Sequence, residues 1–173
     1  MQQSHPVSAA FREAFRYHPA GVAVITAETE TGPVALTVSS LISVSAEPPI
    51  VAFSLASSSS SAAALLTAKT MVVHFLRYAD QDLARLCATS GAERFGPTEP
   101  WERLETGEPR YSRVATWFRA RLHGTLPVDS ATIVSALLLE GHAPPGPANP
   151  AGESLVYLDR RWHRLRDAIE DAA

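Results

Sequence analysis

Hydroxyl side chains gather in one stretch of this chain, residues 34 to 61. Thr37, Ser39 and Ser40 belong to a first strand-like run, Val34 to Ser40. Five consecutive serines, Ser57 to Ser61, follow a second run, Ile50 to Leu55, and lead into the Ala/Leu segment Ala62 to Ala68. Small hydroxyls and free backbone N–H groups beside a helix start are what a phosphate needs. The stretch therefore reads as the seat of a phosphorylated cofactor. Five serines on composition alone describe a flexible linker. Their place between a core strand and a helix, with almost no spacer, favours a structured ligand loop instead.

Other candidate chemistry is sparser. The histidines His5, His18, His74, His123, His142 and His163 are scattered, and none is paired at the i, i+4 spacing of a helical metal site. Each reads first as a surface or satisfied core histidine. His74 stands apart because it falls inside an expected core strand close to the serine loop. Cys87 is the one cysteine, which excludes an internal disulfide and a cysteine-rich metal site. It reads as an inert packing residue on a helix face. Arg94-Phe95 puts a cation and an aromatic at the start of a long polar segment, where the arginine suits a phosphate or carboxylate. Trp101, Trp117 and Trp162 read as core or interface residues, with Trp162 placed to cover a ring system at an edge. No Gly-x-Ser-x-Gly elbow, Gly-x-Gly-x-x-Gly or Gly-Lys-Ser/Thr loop is present, so neither a serine hydrolase nor a dinucleotide fold is indicated. No residue is nominated as a catalytic acid, base or nucleophile, or as a metal ligand.

The bulk properties set bounds. A chain of 173 residues, 46% hydrophobic and 19% charged, fits one domain with a sizeable core. A net charge of −3 argues against a general nucleic-acid binder, which needs a basic surface. No apolar run reaches the roughly 18 residues that span a bilayer, and no secretory signal is visible at the start. The expectation is a soluble cytoplasmic protein without membrane or nucleic-acid partners.

The elements that must position the hydroxyls follow from periodicity. Ser8 is a candidate N-cap for a short helix whose face is Phe11, Ala14 and Phe15, ended by Pro19-Ala20-Gly21. Val22 to Ala27 and Val34 to Ser40 form a hairpin, and Leu41 to Ser45 continues as extended or bulged chain. Glu47-Pro48-Pro49 is a rigid break before Ile50 to Leu55. Met71 to Leu76 is a strand, and Ala79 to Ser90 a helix stopped by Gly91. Residues 92 to 112 read as a long irregular segment, a length that loops seldom reach without a function. Val114 to Leu126, Ala131 to Gly141 and Leu155 to Leu158 are strands, and Ala143 to Gly152 is a surface loop. Arg160 to Leu165 closes the core, with a frayed helical tail beyond. Strands in mostly hairpin order with three short helices argue for an antiparallel barrel rather than a parallel sheet.

With these residues assembled, the chain resembles the flavin reductase-like, FMN-binding split-barrel family. The resemblance rests on the order of Pro19 to Thr26, Leu36-Thr37-Val38-Ser39-Ser40-Leu41, Ser43-Val44-Ser45, Pro48-Pro49-Ile50-Val51, the serine loop, Gln81-Asp82-Leu83-Ala84, Arg94-Phe95 and Leu155-Val156-Tyr157. It implies a mainly β fold, a six-stranded antiparallel split barrel of Greek-key type with short peripheral helices. The domain would run over residues 8–166, with residues 1–7 and 167–173 as flexible termini. It implies a homodimer, with FMN (or FAD) as cofactor, NAD(P)H as hydride donor and a partner monooxygenase as recipient of reduced flavin. Carried over, Thr37, Val38, Ser39 and Ser40 line the flavin body, Ser54 and Leu55 adjoin them, and Ser59, Ser60 and Ser61 take the phosphate. His74, Arg94 and Phe95 complete the expected cofactor-binding set. Two departures matter. Reductases of the family commonly carry Gly-Asp-His before the penultimate long strand, where this chain has Val128-Asp129-Ser130. That histidine is associated with the nicotinamide side, so a flavin-binding protein without reductase turnover (carrier, sensor or inactive paralogue) is the alternative. A split-barrel oxidase acting on another substrate is a third reading. His74 stands where an asparagine is usual, and the serine loop carries no basic residue of its own.

Overall fold

A computed structural model describes residues 6–145 and 154–165. The expectations for the N-terminal tail, most of the 143–152 loop and the C-terminal tail lie wholly or largely outside these residues.

The first helix, α1 (Ser8–Arg16), carries no buried residue. Its N-cap is Val7 rather than Ser8 and makes no side-chain capping bond. Ser8 falls instead in the first turn. The chain then alternates residues into two cores. In β2 (Ala23–Thr29), Val24 faces one cluster and Ile25 the other, the period of two that a strand imposes. β2 follows the two-residue β1 (Ala20–Gly21) and turns through Glu30-Thr31 into β3 (Gly32–Val38). Gly32 sits at φ +111°, a conformation that a side chain disfavours.

β4 (Ile42–Ala46) and β5 (Pro49–Ala56) form the next hairpin, with the expected bulge between Ser43 and Ser45. Helix α2 (Ser60–Leu65) begins inside the serine run, since Ser59 is its N-cap and accepts a hydrogen bond from Ala62 N at 3.2 Å. β6 (Thr70–Phe75) leads through a 3₁₀ turn to α3 (Gln81–Ala88). The segment expected to be irregular contains a small hairpin, β7 (Trp101–Arg103) and β8 (Pro109–Tyr111), turned at Gly107. Strands of three residues are too short to show a period, and Pro109 speaks against one. Then come β9 (Thr116–Val128), β10 (Ala131–His142), β11 (Leu155–Leu158) and β12 (Arg161–Arg164).

The main sheet is antiparallel throughout, in the order β3-β2-β6-β9-β10-β5-β4. Its six long strands are those expected of the barrel, and the short, exposed β4 is added at one edge. The edges β3 and β5 meet where Ser54 N–H donates to Ser40 Oγ at 2.9 Å. β4 pairs with β5 only as far as Ala52, so Phe53 to Ala56 leave their other edge facing β3. The barrel is split there. Its interior holds Ile25, Phe53, Leu55, Leu65, Met71 and Val134. The second core, with Val24, Leu83, Cys87, Tyr111 and Leu155, fixes α3 and the β7–β8 hairpin to the outside of β2 and β6.

Candidate functional site

The split between β3 and β5 opens into a cavity of about 780 Å³, walled at its ends by α2 and the C-terminal part of α3. It is lined by Thr37, Val38, Ser39, Ser40, Ser54, Leu55, Ser59, Ser60, Ser61 and Arg94, so ten of the twelve expected cofactor residues converge on it. Edge strands supply this chemistry because their backbone groups on the open side lack a ladder partner.

The hydroxyls divide into two kinds. Thr37 Oγ1 donates to Ala84 O at 2.8 Å and pins α3 against β3. Ser40 Oγ staples the two barrel edges, and Ser59 Oγ caps α2. These three shape the cavity. Ser39, Ser54, Ser58 and Ser60 are exposed along its rim and are placed to meet a ligand.

Among the described lining residues, Arg94 alone is charged. After α3, Gly91 at φ +73° turns the chain back, and Arg94 Nη2 donates to Thr89 O at 2.8 Å. Arg94 Nη1 donates to Ser61 Oγ at 2.7 Å. The serine loop thus receives its cation from 33 residues further along the chain. Arg94 Nε is buried with no partner. A buried, unsatisfied N–H on a cation calls for an acceptor, and a phosphate oxygen is the acceptor best matched to a guanidinium.

His74 and Phe95, also expected to bind the cofactor, are not among the residues that line this cavity. His74 is fully buried in β6. Its Nδ1 lies 3.1 Å from Val24 O, and its Nε2 accepts from Tyr111 N–H at 3.0 Å. That geometry sets the tautomer with Nδ1 protonated. Burial lowers the pKa of His74 to about 4, which keeps the ring neutral. Phe95 stacks on Tyr111 at a centroid distance of 5.4 Å and meets Trp101 edge-on. Both residues pack against Tyr111, whose hydroxyl donates to Arg94 O.

Sequence reasoning missed Tyr111. It is fully buried, donates from its hydroxyl to Arg94 O at 2.8 Å, and lies 3.5 Å from Cys87 Sγ. It anchors the backbone of the one cation in the cavity. Its place in the short β8 gave no periodic signal. Cys87 also lines the cavity, but burial raises its thiol pKa to about 11, so it presents an unreactive apolar wall. Arg113 braces α3 from outside through Asp82 at 2.8 Å and Glu99 at 3.4 Å. The turn Asp129-Ser130 is tied to the serine loop by Ser57 N–H donating to Ser130 O at 2.8 Å. Among the described residues no group of three or more metal-ligating side chains converges, and no helix is long and apolar enough to cross a membrane.

A split antiparallel barrel with a hydroxyl-lined, arginine-bearing cleft between its edges defines a class of cofactor-holding β-barrels. The chain matches the flavin reductase like domain over residues 15–166 and belongs to that family. The NADH:FMN oxidoreductase of Rhodococcus erythropolis is 39% identical over 154 residues, covering 89% of this chain and 80% of that protein. The NADH-dependent FMN reductase SmoA of Agrobacterium fabrum is 34% identical over 155 residues, covering 89% and 88%. The crystal structure of a flavin reductase domain protein from Arthrobacter superposes with a TM-score of 0.84 at 29% identity, covering 94% and 98%.

Proposed function

We propose that this chain is an NAD(P)H-dependent flavin reductase that takes FMN into the cleft between β3 and β5. The observation that carries the reading is the buried Arg94 Nε without a partner, beside Ser61 and the open hydroxyls of the serine loop. The residues present fit the cofactor. A cavity of about 780 Å³ suits a ligand of this size. Its polar end suits a phosphate, while Val38, Leu55 and the neutral Cys87 give an apolar wall for a ring system.

When bound, the flavin supplies the hydride-accepting chemistry. The protein binds and orients. Arg94 and Ser61 would hold the phosphate, and Thr37 fixes α3 against β3 at the wall of the cleft. The Ser40–Ser54 hydrogen bond ties the two edges to one another and so fixes the shape of the cleft. No acid–base residue of the chain needs to act on the cofactor. Reduced flavin then passes to a partner monooxygenase.

The active form is a homodimer. Ile42, Leu126, Val128 and Ile133 are exposed on the outer face of the sheet, and Leu126 lies directly opposite Ile133 in the β9–β10 register. Exposed apolar side chains in one patch favour a subunit contact.

Steady-state oxidation of NADH and NADPH with added FMN or FAD tests the reading. A rate well above the enzyme-free blank is expected, with FMN preferred. No rate with either donor, alongside retained flavin, would leave the second reading, a flavin-binding protein without turnover. Ser130 in place of the family histidine favours that alternative.

A further inference from the structure

The one cation of the cleft stands on chain without regular structure. Residues 91–100, between α3 and β7, include no helix or strand, so no ladder fixes the backbone that carries Arg94. Such a backbone is only as well placed as the side chains that fasten it.

Two successive carbonyls of this segment are fastened by the β7–β8 hairpin, one from each strand. Tyr111 in β8 donates from its hydroxyl to Arg94 O at 2.8 Å. Trp101 in β7 donates from its indole N–H to Phe95 O at 3.0 Å. The Phe95 ring touches both donors, with its plane 4° from that of Tyr111 and its centroid 5.1 Å from that of Trp101. The hairpin is in turn anchored to the barrel. His74 Nε2 accepts from Tyr111 N–H at 3.0 Å, Thr26 Oγ1 donates to Pro109 O, and Arg103 pairs with Glu28. Arg110 Nε donates to Glu102 across the two strands at 2.9 Å. None of residues 101–111 lines the cleft. Through these contacts, the path from the hairpin to a bound ligand runs by way of residues 94 and 95.

We propose that the β7–β8 hairpin sets the affinity of the cleft for a phosphate ester, with Trp101 as a positioning residue for Arg94 beside Tyr111. This rests on reading the cleft as the site of a flavin phosphate. The physical reason is the cost of ordering. An arginine free to move loses conformational freedom when it grips an anion, and one already held loses less. Arg94 is held at both ends, with its guanidinium on Ser61 and Thr89 and its carbonyl on Tyr111. Trp101 extends the hold to the next peptide. A cation placed in advance favours a ligand that carries a phosphate. Riboflavin presents a hydroxyl there and gains nothing from it.

Fluorescence titration of the full chain with FMN and with riboflavin tests this. Trp101→Phe keeps an aromatic ring against Phe95 and removes the N–H. It should raise the FMN dissociation constant about two- to tenfold, the range for one hydrogen bond, and leave that of riboflavin unchanged. In turnover the KM for FMN should rise by the same factor at constant kcat. Tyr111→Phe, which removes the hydroxyl alone, should behave alike and carries the test if Trp101→Phe does not fold. In an Arg94→Ala background neither substitution should cost anything further. An unchanged FMN constant in Trp101→Phe would overturn the proposal. So would an equal loss for FMN and riboflavin, or a loss that persists without Arg94, since the hairpin would then support the whole cleft rather than its cation. Failure of the functional reading is separable, because the unsubstituted protein would then bind FMN and riboflavin equally.

Discussion

Arg94 concentrates the charge of the cleft in one side chain, and its neighbours exist to hold it. Ser61 and Thr89 fix the guanidinium, while Tyr111 fixes the carbonyl of the same residue. Arg94→Ala should raise the FMN dissociation constant by tenfold or more, given the strength of charge-assisted bonds of about 1.5–3 kcal/mol. Riboflavin, which lacks the phosphate, should bind the variant nearly as well as the parent. A fluorescence titration with both ligands checks this, and an equal loss for both would place Arg94 outside phosphate recognition. His74 supports Tyr111 from below and makes a second prediction. Burial lowers its pKa from the ordinary 6.5 of a histidine to about 4. The neutral ring is favoured in the folded state, so the unfolded chain binds the extra proton between these values. Stability is therefore fully present above pH 6.5 and is lost as the pH falls towards 4. The loss between about pH 7.5 and about pH 5 should be on the order of 2 kcal/mol. Urea midpoints at the two pH values measure it. His74→Asn keeps a donor and an acceptor and should flatten the dependence.

At the scale of elements, the split is made by strands that stop pairing. β4 leaves β5 at Ala52, and β3 pairs on one side only, so the two edges face one another across the cleft. α2 and α3 close its ends because a serine cap starts the first and Thr37 pins the second. The long β9–β10 pair runs beneath all of this and bends at a bulge between Leu138 and Glu140. Just beyond the bulge, Gly141 has no room for a side chain. A Cβ there would sit 2.3 Å from Phe118 Cδ1 and 2.5 Å from Trp117 O. Gly141→Ala should destabilise the fold by about 1–3 kcal/mol, the usual cost of overpacking. A shift of the urea midpoint with an unchanged FMN constant in the folded fraction is the expected signature. No shift would mean that the β9–β10 pair relaxes around the methyl group.

For the whole molecule, one sheet serves three surfaces. Its interior forms the core, its split opens the hydroxyl-lined cleft, and its outer face carries the exposed apolar side chains. Leu126 and Ile133 are 58% and 42% exposed and sit opposite one another. Ile133→Glu should convert a dimer to monomers in sedimentation velocity without unfolding the chain, since the side chain points away from the core. A dimer that survives the substitution would move the subunit contact to another face.

Much of this was legible in the sequence. Apolar and β-branched runs, with partial alternation in Val114 to Leu126, located the six long strands, Gly91 and the prolines marked the breaks, and the hydroxyl clusters pointed to the cleft. These signals are local, because a strand period or a turn residue acts within a few positions. The tertiary structure decided what no window of sequence contains. It brought Arg94 to Ser61 across 33 residues and supplied the cation that the serine loop lacks. It packed His74 and Phe95 against Tyr111, since neighbouring packing decides which way a core side chain can point. It made Tyr111 the anchor of the site from within a three-residue strand. Local pattern selects the elements, whereas the contacts that shape a site depend on how distant edges close on one another, and that is settled only when the barrel forms.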